Sequence, residues 1–391
     1  MAGQRSLALG LIGCGTMGGS HATQLVSLAD AHLVVACDLD ITKAEAVVAQ
    51  AAAAGHVVRA TSNLADVLAD PEVGGVIVAT PNFTHRDVVM QALEAGKDVF
   101  CEKPMALTLA DCDAMIARAH ELGRKLMVGQ VLRLITVFAT VRRLVAEGVI
   151  GKPFAVRIIR CARRSLDGPW AATWRSKRAN TGGLLHEVNV HEFDFMRSIF
   201  GEVESVAAMS ANFTRPEYDY EDHVIVTLSF RNGGLGVLES SVATAIGATD
   251  GLITGERGSI SYDWARNSVR YRLLDGTEED VPVERDLGRS VQGELSSFAR
   301  WVLHNEAPVV TAEDGTLAGL LGASPGASVA ANIALAVIQR CFRACLQTFD
   351  GRATLQTMVP SFGRDAAQFT AEAERYAAQS AEILGLRSLT A

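Results

Sequence analysis

The sequence predicts an α/β protein in which a doubly wound parallel sheet is followed by an α+β domain on an antiparallel or mixed sheet. Three observations predict it. Apolar runs of strand length alternate with amphipathic helical stretches from Leu7 to about Gln130. A glycine-rich turn, Gly13-Cys14-Gly15-Thr16-Met17-Gly18, joins the first run to the first helical stretch. Beyond Lys152, segments of two-residue alternation are separated by turn signals. The 391 residues, 49% of them hydrophobic, are enough for two domains with cores of their own. The expected division is 1–130 and 131–391, the latter ending in an atypical helical extension over about 316–391.

The first strand is the run Leu7 to Ile12. In the turn after it, Gly13 allows the tight bend, Gly15 lets the backbone approach a pyrophosphate, and Gly18 allows close packing of helix on strand. Thr16 and Met17 open the helix, whose N-terminus offers free N–H groups and a positive dipole end to phosphates. The second strand, "HLVVACD", ends at Asp38, where a carboxylate accepts hydrogen bonds from the adenosine ribose of a bound dinucleotide. No arginine follows, and the acidic "DLDITK" repels a 2′-phosphate, so NAD is favoured over NADP. The competing role for Asp38 is a helix N-cap. Then come a third strand in "AAAAGHVVRA", a helix in "LADVLADP", and the buried strand "GGVIVAT" closed by "PNFTH". Next is the helix "RDVVMQALEAG", with Gly96 as C-cap. The strand "KDVFCEKP" follows, then "TLADCDAMIARAHELG", a helix between Thr108 and Gly123 as its caps, and the strand "KLMVGQ". Ligands bind beyond the strand C-termini of such sheets. That rule gathers Gly13, Asp38, Thr80, Asn82, Glu102 and Lys103 along one edge.

In the second part, "KPFAVRIIRCARR", "EVESVAAMSANF", "DHVIVTLSFRNG", "GLGVLESSVAT", "GLITGERGSISYDW", "SVRYRLLDG" and "EEDVPV" read as strands. "VQGELSSFARWVLHNE" is an amphipathic helix with Leu295, Phe298, Trp301 and Val302 on its apolar face. Ahead of the segment "GGLLHEVNVHEFDF", Trp170 and Trp174 suit either a sugar-stacking wall or the core, and Arg175 suits a substrate hydroxyl or a cofactor group. The uncharged stretch from Leu317 to Ile338 is interrupted by Ser324, Pro325, Gly326 and Asn332, which fits buried or interface helices better than a membrane span.

A net charge of −8 gives no electrostatic footprint for nucleic acid or an anionic membrane. Seven cysteines without a CxxC pair, several inside apolar runs, fit reduced thiols and a cytoplasmic location, as does an N-terminus with no apolar signal core.

"GCGTMGGSHA", "ATPNFTH", "CEKPMA", "EGVIGKPF" and "GG" followed by "HEFD", in this order, resemble the Gfo/Idh/MocA family over about residues 5–315. The family is named for glucose–fructose oxidoreductase, inositol dehydrogenase and a rhizopine-catabolism protein. The resemblance implies an NAD(P)-dependent oxidoreductase of sugars or polyols, with a Rossmann domain and a second domain on a large open sheet backed by helices. It implies a homodimer or homotetramer. It also implies that Thr80, Pro81 and Asn82, with His85 of the same segment, line the cofactor cleft, and that Lys103 lies near the nicotinamide and the reacting hydroxyl. His191 is similar to the family's acid/base. Glu187 stands where the family commonly has Asp. Arg133, expected on the substrate, is kept in "R-L-I-T", but the aromatic and proline of the family's "R-F-x-P" are not.

Oxidation of an alcohol needs a base, a hydride acceptor and groups that hold the carbinol. His191 is the expected base, and Lys103 the group that hydrogen-bonds the oxygen and depresses the imidazole's basicity. On one helix Glu187, His191 and Asp194 share a face, with Leu184, Val188, Phe195 and Ile199 on a separate apolar stripe. His186 and His191 are five residues apart and diverge by roughly 140° around the helix, which argues against a metal site. His186 is expected to be structural, Glu192 solvated, and Asp194 a structural partner. The expected function is NAD-dependent oxidation of a secondary hydroxyl of a cyclic polyol, sugar or glycoside. The alternatives are a hydrolase or lyase that oxidises transiently, and a non-catalytic NAD-binding regulator.

Overall fold

A computed structural model describes residues 6–162, 173–285, 287–306 and 317–319. The chain opens with β1 (Leu7–Ile12), α1 (Thr16–Leu25), β2 (Ala31–Cys37), α2 (Ile41–Ala53), β3 (Arg59–Thr61), α3 (Leu64–Leu68), β4 (Gly75–Val78), α4 (His85–Glu94), β5 (Asp98–Cys101), α5 (Leu109–Glu121) and β6 (Leu126–Val128). Short polar side chains start three of these helices. Asp40 accepts from the Thr42 N–H at the head of α2, Asn63 from Ala65 at α3, and Thr108 from Asp111 at α5. The six strands are parallel in the order β3-β2-β1-β4-β5-β6. The order reverses between β1 and β4, so a crevice opens there at the strand C-termini.

The chain then forms α6 (Thr136–Ala146), β7 (Pro153–Cys161), α7 (Arg178–Thr181), α8 (Leu184–Glu187), α9 (Val190–Phe200), β8 (Val203–Ala211), β9 (His223–Phe230), β10 (Leu235–Ser241), β11 (Ala248–Gly255), β12 (Gly258–Asp263), β13 (Ser268–Leu273) and β14 (Glu278–Val281). The eight strands make a mixed sheet, β14-β13-β12-β11-β7-β10-β9-β8, in which only β7 and β10 are parallel. α6 and α9 cover one face. Phe138 of α6 meets Phe195 of α9 and Tyr262 of β12 edge-on, with ring centroids 5.0 and 5.2 Å away. The other face is turned outward, with Met209, Ile225 and Leu235 exposed.

After β14 the chain returns to the first sheet. α10 (Leu287–His304) buries Leu295, Phe298 and Trp301 in one cluster with Leu9, Leu11, Ile77 and Phe100. β15 (Leu317–Gly319) adds to the edge beside β6 in parallel. Residues 287–304 and 317–319, placed with the second domain on sequence grounds, thus complete the first sheet. The cause is physical: α1 and α2 leave strand surface uncovered, and the apolar stripe of α10 covers it. Trp170 and the expected extension over about 316–391, apart from 317–319, lie outside the described residues. Among the described residues no helix is long and apolar enough to cross a membrane.

Candidate active site

At the crevice the glycines are dictated by space. Gly13 has φ +95°, and a Cβ there would lie 2.7 Å from the Ala79 carbonyl. A Cβ at Gly18 would lie 1.9 Å from the Gly13 oxygen. Gly15 faces open space, and α1 begins after it with no side-chain cap, so its first N–H groups point where a pyrophosphate fits. Asp38, at the end of β2, accepts from the Cys14 N–H at 2.8 Å and the Asp40 N–H at 3.0 Å. The N-cap of α2 is Asp40, so the competing capping role for Asp38 does not hold. These residues suit the adenosine half of a dinucleotide: a dipole end for phosphates, and a carboxylate for ribose.

β4 and β5 deliver the next groups. Thr80 sits against Gly13, and Pro81 precedes a 3₁₀ turn over Asn82–Thr84. His85, expected to touch cofactor, is buried instead, its two ring nitrogens 2.8 Å from the Pro104 oxygen and 2.9 Å from the Thr80 oxygen. It ties the loop after β4 to the loop after β5, and burial lowers its basicity. Glu102 is also buried. Its Oε1 lies 2.7 Å from His21 Nε2, and its Oε2 accepts from the Lys103 N–H at 3.1 Å. Burial raises this carboxyl, but the hydrogen bond and charge of His21, with Lys103 and His191, prevail and hold it at about 2. Glu102 therefore anchors the Lys103 main chain from below.

The second sheet's helices close the site. The expected single helix is interrupted at Val188 and Asn189, because Asn189 leaves helical geometry and donates its amide to Glu192 Oε2 at 3.0 Å. The path continues closely enough that Glu187 and His191 stay on adjoining turns. Lys103 Nζ donates to the Glu187 carbonyl at 3.0 Å. The Glu187 carboxylate accepts from Asn82 Nδ2 and, at 3.1 Å, from Arg175 Nε. Arg175 stacks 4.1 Å over Trp174, and Tyr220 Oη donates to the Arg175 carbonyl at 2.7 Å. Trp174 meets Phe83 edge-on, centroids 6.3 Å apart. His191 Nδ1 lies 2.9 Å from Gln130 Oε1. Burial holds its imidazole well below the usual histidine range, and the positive charges of Lys103 and Arg160 push the same way, against Glu102.

Lys103, Glu187 and His191 thus come from separate segments to one place, with Trp174 and Arg175 alongside. Arg133 does not join them. It is 3% exposed, and its Nε and Nη2 donate to the two oxygens of Asp194 at 2.6 Å. It is held in a buried pair rather than left for substrate, and Asp194 has the structural role expected of it. His186 is structural, with Nε2 2.8 Å from the Ala106 oxygen. Glu192 is buried, not solvated, 3.5 Å from Arg160 Nε. Four nearby groups escaped the sequence reading: His21, Gln130, Arg160 and Phe83. Only His21 carried a signal, a polar residue on the apolar face of α1.

Comparison with known proteins agrees with this fold. The model of an oxidoreductase family with an NAD-binding Rossmann fold matches residues 7–130, and that of the GFO/IDH/MocA C-terminal domain matches 138–261. A third model, malate:quinone oxidoreductase, matches 296–386, mostly outside the described residues. The myo-inositol 2-dehydrogenase of Thermotoga maritima is 30% identical over 81% of this chain and 94% of its own length. The 2,7-anhydro-N-acetylneuraminate hydratase of Escherichia coli is 31% identical over 54% of this chain and 57% of its own. The structure of a levoglucosan dehydrogenase complexed with NADH shares the fold, at TM-score 0.73 and 23% identity over 86% of this chain and 97% of that one.

Proposed function

We propose, from the premise that the chain belongs to the Gfo/Idh/MocA oxidoreductase family, that this NAD-dependent enzyme oxidises a secondary hydroxyl of a cyclic polyol, sugar or glycoside. The observation that carries the reading is the meeting of Lys103, Glu187 and His191 beyond the ends of β5 and β6. NAD, when bound, supplies the hydride acceptor. The lowered basicity of His191 keeps its imidazole neutral, so that it takes the hydroxyl proton. Lys103 donates a hydrogen bond to the oxygen on which negative charge develops. Glu187, paired with Arg175 and hydrogen-bonded by Asn82, orients Lys103 through its carbonyl and closes the second layer onto the first. Trp174 and Phe83 offer apolar ring faces beside the cleft for a sugar ring. The exposed Met209, Ile225 and Leu235 on the outward sheet face support a homodimer or homotetramer.

A screen of NADH formation over inositols, aldoses and glycosides tests the reading. Stoichiometric NADH and ketone support it. One observation favours a second reading: a relative 31% identical over part of the chain is named a hydratase. Hydration is redox-neutral, so addition or cleavage without net NADH supports transient oxidation instead.

A further inference from the structure

We propose that Gln130 is a positioning residue that fixes the His191 imidazole with its proton on Nδ1 and its lone pair on Nε2, turned toward the cleft. The proposal rests on the reading of His191 as the base. Gln130 lies two residues beyond the end of β6 and is 2% exposed. Its Oε1 lies 2.9 Å from His191 Nδ1. An amide oxygen only accepts, so the nitrogen facing it carries the proton. In a neutral ring the other nitrogen, Nε2, is then the base. No partner for Nε2 is found among the described residues.

Two features make this contact a fixture. The 3₁₀ turn over Val131–Arg133 begins at Gln130, with the Arg133 N–H donating to the Gln130 carbonyl at 3.0 Å. Arg133 grips Asp194 bidentately, three residues after His191 on α9. The same turn therefore holds the same helix at two points, Gln130 on His191 and Arg133 on Asp194, both pairs spaced by three. Rotation of α9 about its axis would break both. From behind, the buried Glu294 of α10 faces the Gln130 main-chain N–H, so the backbone of Gln130 is backed as well. Two neighbouring strands thus share the work. The end of β5 presents Lys103 on its Glu102–His21 anchor, and the end of β6 presents Gln130 to His191.

The test compares Gln130→Met and Gln130→Glu in the full chain with NAD, beside His191→Asn. The titratable and charged groups around His191 are Lys103, Glu102 and Arg160, with Glu192 and Asp194 on its own helix; all stay in place in both Gln130 variants. Gln130→Met should lose on the order of tenfold or more in kcat with NADH affinity unchanged, because the ring loses its tautomer preference. Gln130→Glu still accepts from Nδ1–H, should recover turnover to within a few-fold, and should move the acid limb of kcat/KM to higher pH. In ¹⁵N spectra of wild type with NADH, His191 should carry its proton on Nδ1, a measurement that needs no variant to fold. Unchanged kcat in Gln130→Met, an unmoved acid limb in Gln130→Glu, or a proton on Nε2 overturns the proposal. If His191→Asn loses turnover and Gln130→Met does not, only the positioning role fails. If His191→Asn keeps full turnover, the functional reading fails with it.

Discussion

Replacing Arg133 by Met asks whether this arginine serves the fold or the substrate. The substitution keeps a long side chain but leaves the Asp194 carboxylate, 1% exposed, without its partner. Two hydrogen bonds of 2.6 Å are lost together with the charge pair. At about 4 Å between charge centres and an effective dielectric near 20, the Coulomb part alone is roughly 4 kcal/mol. Removing one partner of a buried pair costs about 3–5 kcal/mol, in agreement. If some 300 residues melt together, that is about 5–8 °C in Tm. The sign with pH follows from Asp194, which burial raises and Arg133 lowers. Without Arg133 its folded pKa rises further, and a raised carboxyl costs stability increasingly as pH climbs above its unfolded value. The deficit should therefore be larger at pH 8 than at pH 5. Arg133→Met with Asp194→Leu should recover most of it, since an apolar pair leaves nothing unsatisfied. The assay is thermal unfolding of the two single variants and the double at both pH values. An Arg133→Met protein that melts like wild type but shows a raised KM for the sugar refutes the structural assignment and restores Arg133 to the substrate.

Gly18→Ala places a methyl on the Gly13 oxygen and should abolish NADH binding, whereas Gly19→Ala, with nothing within 4 Å of its Cβ, should bind as wild type does; equal NADH titrations would contradict the steric account. Asp38→Ser removes the carboxylate proposed to accept from the ribose and one pin of the glycine turn, and the KM for NAD should rise roughly 10- to 100-fold, about 1.5–3 kcal/mol for a charged hydrogen bond. Faster wild-type turnover with NADP than with NAD would sink the assignment of Asp38. Glu294 is buried and its carboxyl raised well above the usual range by burial and by Glu102, so it costs stability once the unfolded chain would ionise it. Glu294→Gln should melt above wild type at pH 8 and lose that advantage toward pH 5; a variant less stable at pH 8 would show that the carboxyl is ionised and partnered. Glu102, held at about 2, acts in the opposite sense, with stability present above about 4.5 and lost as pH falls toward 2.

The first sheet was legible because its signals are local. A glycine turn, strand runs and capping residues such as Thr108 each sit within a few residues of what they specify. The alternation of β9 to β12 was equally readable, since burial alternates along these strands between a covered and an outward face. Pairings distant in sequence were not legible. Nothing near Arg133 reveals that Asp194 takes both its donors, and nothing near His85 reveals the two carbonyls that occupy its ring. The interruption at Asn189 was hidden because no glycine or proline marks it. The return of α10 to the first sheet was hidden because an apolar stripe states that a helix is buried without stating where.

The central claim is that Lys103 and His191 carry out oxidation of a ring hydroxyl, and single-turnover NADH formation in Lys103→Met and His191→Asn tests it most directly. Both variants should bind NADH with wild-type affinity and lose on the order of 100-fold or more in the rate of NADH appearance on a substrate that wild type converts to ketone. Wild-type rates in both variants, or product from wild type with no NADH formed, would contradict it.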